Sequence, residues 1–126
     1  LPDDAKAAKN FNKAIRGRLE KKNCITIYPE AHIWPYYTKI RPFKDTSFGY
    51  PLKMNAKVFC FTNTYQKRRF RKTPKIVTYI DGPFTTDKSL SLMEQRKHLR
   101  NQVYEYMCKA ARKSNVEMIQ YVKIEE

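Results

Sequence analysis

Cys24-Ile25-Thr26-Ile27-Tyr28-Pro29-Glu30-Ala31-His32 is a short apolar run that stops on a Pro-Glu pair. Apart from Thr26 its first five residues are apolar at every position, the pattern of a strand in a sheet covered on both sides. Proline fixes φ at the end of that strand, so Glu30 is placed at a carboxyl end, where open α/β sheets build their sites. Working outward toward the N-terminus, Ala8, Phe11, Ala14, Ile15 and Leu19 recur at three- and four-residue spacing across residues 3–23. This predicts an amphipathic helix with Asp3 or Asp4 as N-cap, closed by Lys21-Lys22-Asn23, with Asn23 suited to a left-handed end.

Toward the C-terminus, residues 29–42 form an aromatic-rich loop that includes Trp34-Pro35-Tyr36-Tyr37 and is expected to fold back onto the core. Lys39-Ile40-Arg41-Pro42-Phe43-Lys44 then returns basic groups toward the Pro-Glu end. A short helix over 46–55 would hold Pro51 in its first turn, followed by strands over 57–63 and 74–81, the latter ended by an Asp81-Gly82-Pro83 turn. Ser89 is expected to open the longest helix, to about Lys113, with Leu92, Leu99, Val103, Tyr106 and Ala110 on one stripe; Ser91 is the alternative cap. Residues 116–124 suit a last strand. The alternation of helices and strands predicts an α/β fold with a mixed, mainly parallel sheet and flanking helices.

Composition sets limits on function. The chain has 126 residues, 41% of them apolar, which makes it one domain or part of one, able to bury a core. Its 26 Lys and Arg against 12 Asp and Glu give a formal charge of +14, which favours an anionic partner: a phosphorylated substrate, an acidic lipid surface or nucleic acid. Cys24, Cys60 and Cys108 are odd in number, far apart and set in apolar runs, so buried free thiols are expected rather than disulfides or a zinc site. No apolar run approaches the ~20 residues of a membrane-spanning helix. Leu1-Pro2 opens without methionine and leads straight into a helix, suggesting a preceding segment.

The order strand, Tyr28-Pro29-Glu30, Phe43-Lys44, short helix, apolar strand resembles the lysophospholipid/glycerol-phosphate acyltransferase family. The family's signature reads Phe-Pro-Glu-Gly-Thr, then a Phe-Lys segment, then an apolar strand. Here Ala31 and His32 replace the glycine and threonine, and Val58-Phe59-Cys60-Phe61-Thr62 lacks the proline of the family's last motif. The family's catalytic histidine lies in a His-x-x-x-x-Asp motif N-terminal to the Pro-Glu strand. Neither histidine here completes it: the fifth residue after His32 is Tyr37, and after His98 it is Val103. The resemblance therefore implies the C-terminal part of a larger acyltransferase domain, with the catalytic motif upstream of Leu1 and no catalytic residue in this chain.

What the resemblance implies for the site follows residue by residue. Glu30 would orient the acceptor, Lys44 would meet its phosphate, and Pro29, Ala31 and Arg41 would complete the binding segment. The donor would be acyl-CoA or acyl carrier protein, with no bound cofactor and no metal, and the acceptor lysophosphatidic acid or a relative. The protein would work in phospholipid biosynthesis, in the cytoplasm, peripheral to the cytoplasmic face of a membrane. Lys67, Arg68, Arg69, Arg71 and Lys72, interleaved with Phe70, lie in a window without acidic residues from 46 to 80. Such a run suits an anionic membrane surface or a nucleic acid. A nucleic-acid-binding domain and a non-catalytic, membrane-docking relative are the alternative classes.

Overall fold

The computed structural model describes residues 4–32 and 34–124, so the alternative cap Asp3 and the Leu1-Pro2 opening lie outside the described residues. Helix α1 (Ala5–Glu20) starts at Asp4, whose carboxylate accepts from the Ala7 N–H at 2.7 Å. It ends with Lys22, not Asn23, in the left-handed conformation at φ 61°, and the Asn23 N–H reaches back to the Arg18 carbonyl. Only Ile15 of α1 is buried; Phe11 meets the Tyr50 ring edge-on at 5.2 Å.

A 3-10 turn (Thr46–Phe48) runs into the short helix α2 (Gly49–Lys53), with Pro51 in the first turn where its missing N–H costs nothing. Strands β1 (Val58–Gln66) and β2 (Lys75–Phe84) pair antiparallel. Helix α3 (Leu92–Ala111) then packs across them. Its cap is Ser91, not Ser89. Ser91 and Glu94 form a reciprocal capping box, while Ser89 is held by Asp87 in the preceding turn.

The element types bear out an α/β composition, but the sheet is two-stranded and antiparallel rather than mainly parallel. Residues 24–28 and 116–124 belong to no strand: they run irregularly, and Tyr28 is 81% exposed. Apolar content makes both segments strand candidates, but a strand needs a ladder partner for its backbone, and neither segment meets one. The expected turn at Asp81-Gly82-Pro83 is instead a bulge inside β2. Val58 pairs with Phe84 and Cys60 with Asp81, so three steps on β2 oppose two on β1. Gly82, at φ +128°, lets the Val58 carbonyl and Phe59 approach where a Cβ would collide at 2.8 Å.

The core is formed by Phe43, Phe48, Cys60, Leu99, Val103 and Met107, with Ile40, Leu52, Val58, Phe84 and Tyr104 packed against it. The α3 stripe is shifted from the expected one: Leu92 and Tyr106 are exposed, and Met107 and Ala111 are buried. Among the thiols, Cys60 is buried, Cys108 half-buried and Cys24 exposed. Among the described residues no helix is long and apolar enough to cross a membrane.

Candidate functional site

The Pro-Glu segment forms a turn in which the Ala31 N–H donates to the Tyr28 carbonyl at 3.1 Å. Ala31 sits in the left-handed region at φ 62°. Such a conformation is unfavourable for alanine, and the turn adopts it nonetheless. Pro29 and Glu30 are half-buried, and the Glu30 carboxylate accepts from the main-chain N–H of Arg41 at 3.0 Å. A loop spanning eleven residues is thereby closed by one charge-assisted bond.

Because Glu30 takes the backbone of Arg41 rather than its side chain, the guanidinium turns elsewhere and lies 4.1 Å from the centroid of Trp34. Its Nη1 is buried without a hydrogen-bond partner among the described residues. Trp34 in turn stacks on Tyr121 at 5.1 Å and meets the edge of Tyr37 at 5.0 Å. Tyr121 donates its hydroxyl to the Pro35 carbonyl at 2.7 Å, so the segment after α3 clasps the loop. Trp34 is therefore part of an aromatic cluster at the surface, not a core residue. The loop's far end is fixed by Arg100, whose Nε donates to the Phe43 carbonyl at 2.9 Å while its guanidinium lies over Tyr104. Glu30 also acts on Tyr104: that phenol is held above its ordinary value chiefly by Cys108 one turn along, with a smaller push from the Glu30 carboxylate.

The structure thus brings Glu30, Pro29, Ala31 and Arg41 together. Lys44 follows buried Phe43 and is exposed; among the described residues no hydrogen bond or ion pair joins it to Glu30. Its neighbour Asp45 is taken by Arg96 at 3.3 Å. His32 is exposed in the turn. His98 lies near Asp87, but that carboxylate is held low by the hydroxyl and N–H of Ser89, with His98 contributing last. Among the described residues no hydrogen bond joins His32 or His98 to an aspartate. Among the described residues no group of three His, Cys, Asp or Glu could hold a metal.

The basic run occupies the loop 67–74 between the strands. Lys67, Arg68, Arg69, Phe70, Arg71, Lys72, Pro74 and Val116 line an open groove of about 490 Å³. Phe70 is 89% exposed, with the Arg69 guanidinium 5.3 Å from its ring. The base of the loop is stitched to the chain after α3: Tyr65 N–H donates to Ser114 Oγ, Asn115 N–H to the Tyr65 carbonyl, and Lys67 N–H to Asn115 Oδ1. Burial, with Tyr36 and Tyr121 nearby, raises the Tyr65 phenol above its ordinary value.

Arg100 and Tyr121 are not among the sequence candidates. Arg100 borders the apolar stripe of α3 beside Leu99, and such a border cation is a usable signal for a residue that reaches over the core edge. Tyr121 carries no signal, because its role depends on a contact 86 residues away. Comparison of the chain with protein-family models, with curated proteins and with solved structures finds no match.

Proposed function

We propose that this chain supplies acceptor recognition for acyl transfer from an acyl thioester to the hydroxyl of a glycerol-phosphate or lysophospholipid, as part of a larger glycerolipid acyltransferase domain. The observation that carries the reading is the Glu30 turn. The carboxylate ties the Pro-Glu segment to the basic 39–44 segment at 3.0 Å, and Ala31 takes the left-handed conformation at the position where the family signature has glycine. Glu30 is half-buried and keeps lone pairs with which to accept from a polyol hydroxyl, while exposed Lys44 of the same loop offers charge to a phosphate and Arg41 contributes its main-chain N–H to the Glu30 carboxylate.

In that reaction the acceptor hydroxyl attacks the thioester carbonyl, the C–S bond breaks, and the thiolate of coenzyme A or acyl carrier protein leaves with the proton. The base belongs to a His-x-x-x-x-Asp motif outside this chain. The acceptor would be reached at the cytoplasmic face of an anionic membrane. Nucleic-acid binding is the second reading, favoured specifically by the basic groove with its exposed Phe70.

Calorimetric titration of the chain with lysophosphatidic acid below its micelle concentration tests the proposal. Glu30→Gln and Lys44→Ala are each expected to weaken binding by roughly tenfold or more, the worth of one charge-assisted bond; the melting temperature should be unchanged for Lys44→Ala and lowered for Glu30→Gln, in which a neutral amide oxygen replaces the carboxylate on the Arg41 N–H. Affinities within twofold of the parent for both variants would remove these residues from the site.

A further inference from the structure

Alternation along a strand sends successive side chains to opposite faces, and here the odd residues of β1 and the even residues of β2 before the bulge, up to Ile80, point away from α3. On that outward face Phe59 is 49%, Phe61 64%, Ile76 55% and Ile80 61% exposed, and Phe61 stands directly opposite Ile80. In the polar pair among them, Asn63 and Thr78, the Thr78 hydroxyl donates to Asn63 Oδ1 at 2.6 Å, which leaves the Asn63 amide N–H groups as the pair's remaining donors. The face therefore offers mostly apolar area and few hydrogen-bonding groups. At its tip it continues into the basic groove of the 67–74 loop and the exposed Phe70.

We infer that the outward face of the β1–β2 sheet and the groove at its tip form one docking surface for an anionic bilayer. Phe61, Ile80, Ile76 and Phe70 enter the interfacial region, and the cations of the loop meet lipid phosphates. Charge complementarity selects this occupant. The window 46–80 holds eight Lys and Arg and no acidic residue, so a second copy would oppose like charge across the contact. A nucleic acid would satisfy the cations, but the aliphatic Ile76 and Ile80 have no π-face to stack on a base, so their exposed area would gain nothing from one. A bilayer interface meets both parts at once, apolar area below and anionic headgroups at the rim. The inference rests on the acceptor being a membrane lipid but uses residues outside the Glu30 turn, so each can fail without the other.

Cosedimentation with vesicles of phosphatidylcholine alone, and of phosphatidylcholine mixed with phosphatidylserine, tests it. The chain is expected on the mixed vesicles and not on the neutral ones. Replacing Arg68, Arg69 and Arg71 together by Ser should cost on the order of a hundredfold in partitioning. Phe61→Ser with Ile80→Ser should cost roughly tenfold or more while circular dichroism stays unchanged. Phe61→Trp keeps an aromatic ring at the position; combined with Trp34→Phe, which removes the native indole, it should give a fluorescence that brominated lipid quenches. Binding that ignores the Phe61/Ile80 pair, or an indole fluorescence in the Phe61→Trp variant that brominated lipid leaves unquenched, overturns the inference. So does a dimer in light scattering that the same pair of substitutions dissolves, and so does retention on single-stranded RNA by a chain that ignores the mixed vesicles.

Discussion

The inward face of the β1–β2 sheet presents Cys60, Thr62 and Thr64 to α3, whereas the outward face presents Phe59, Phe61, Ile76 and Ile80 to solvent. Hydrophobicity alone would reverse them. These three β1 positions are small or β-branched because the bulk of that core comes from the other side, from Leu99, Val103 and Met107 of α3 and from Phe43 and Phe48 of the loop and 3-10 turn. Thr64 can be buried there because its hydroxyl donates to the Val77 carbonyl at 2.8 Å. The lesson is that alternation reveals the period of a strand, while the element packed against it selects the phase.

The sharpest way to break this comparison is to truncate one residue on each side. Leu99 is 1% exposed, so Leu99→Ala should destabilise by about 2–5 kcal/mol in urea unfolding, through lost burial and the cavity left behind. Phe61→Ser on the outward face should change stability by about 1 kcal/mol or less. Equal losses would mean that the outward face is part of the folded core.

Next comes the bulge that sets the phase at the sheet's end. Gly82→Ala puts a Cβ 2.8 Å from the Val58 carbonyl in a conformation that L-residues rarely adopt, so a loss of about 2 kcal/mol is expected, from strain that a flexible side chain cannot relieve. A neutral result would mean that the register between Val58 and Cys60 differs from the one described.

The smallest effect sharpens the inward face through its thiol. Burial first, and the Asp81 carboxylate second, push Cys60 from its ordinary value near 9 up to about 11. Its protonated form is thus favoured in the folded chain. The unfolded chain loses this proton first, so the thiol's contribution to stability should be full below pH 9 and fall as pH rises toward about 11. Cys60→Ala should flatten that slope in pH-dependent urea melts. At about pH 8 iodoacetamide should label exposed Cys24 well before Cys60.

Some of this chain is legible because the signals are local. Asp4 capping α1, the 3.6-residue period of α3 and the β-rich runs around 58–66 and 75–84 all depend on neighbours within a few residues, and each is placed by pattern to within a few positions. The Ser89 and Ser91 caps differ by two residues, and only the Ser91 spacing puts a glutamate where the box closes. The candidate site is legible in part. Glu30 and Arg41 can be named from the Pro-Glu run and the basic segment after it, but the bond between them closes across a loop whose conformation no pattern specifies.

By itself the sequence determined the helices, the two β-rich runs and a charge that favours an anionic partner, since propensity and net charge are properties of short stretches or of composition. Only the tertiary structure decided which apolar segments became strands. Residues 24–28 and 116–124 have strand composition, but a strand is made by the neighbour that accepts its hydrogen bonds, and in this fold the ladder is closed by β1 and β2. The tertiary structure likewise turned the Phe-rich side of that sheet outward and drew Tyr121 across to Trp34, because both outcomes follow from contacts between residues far apart in the chain.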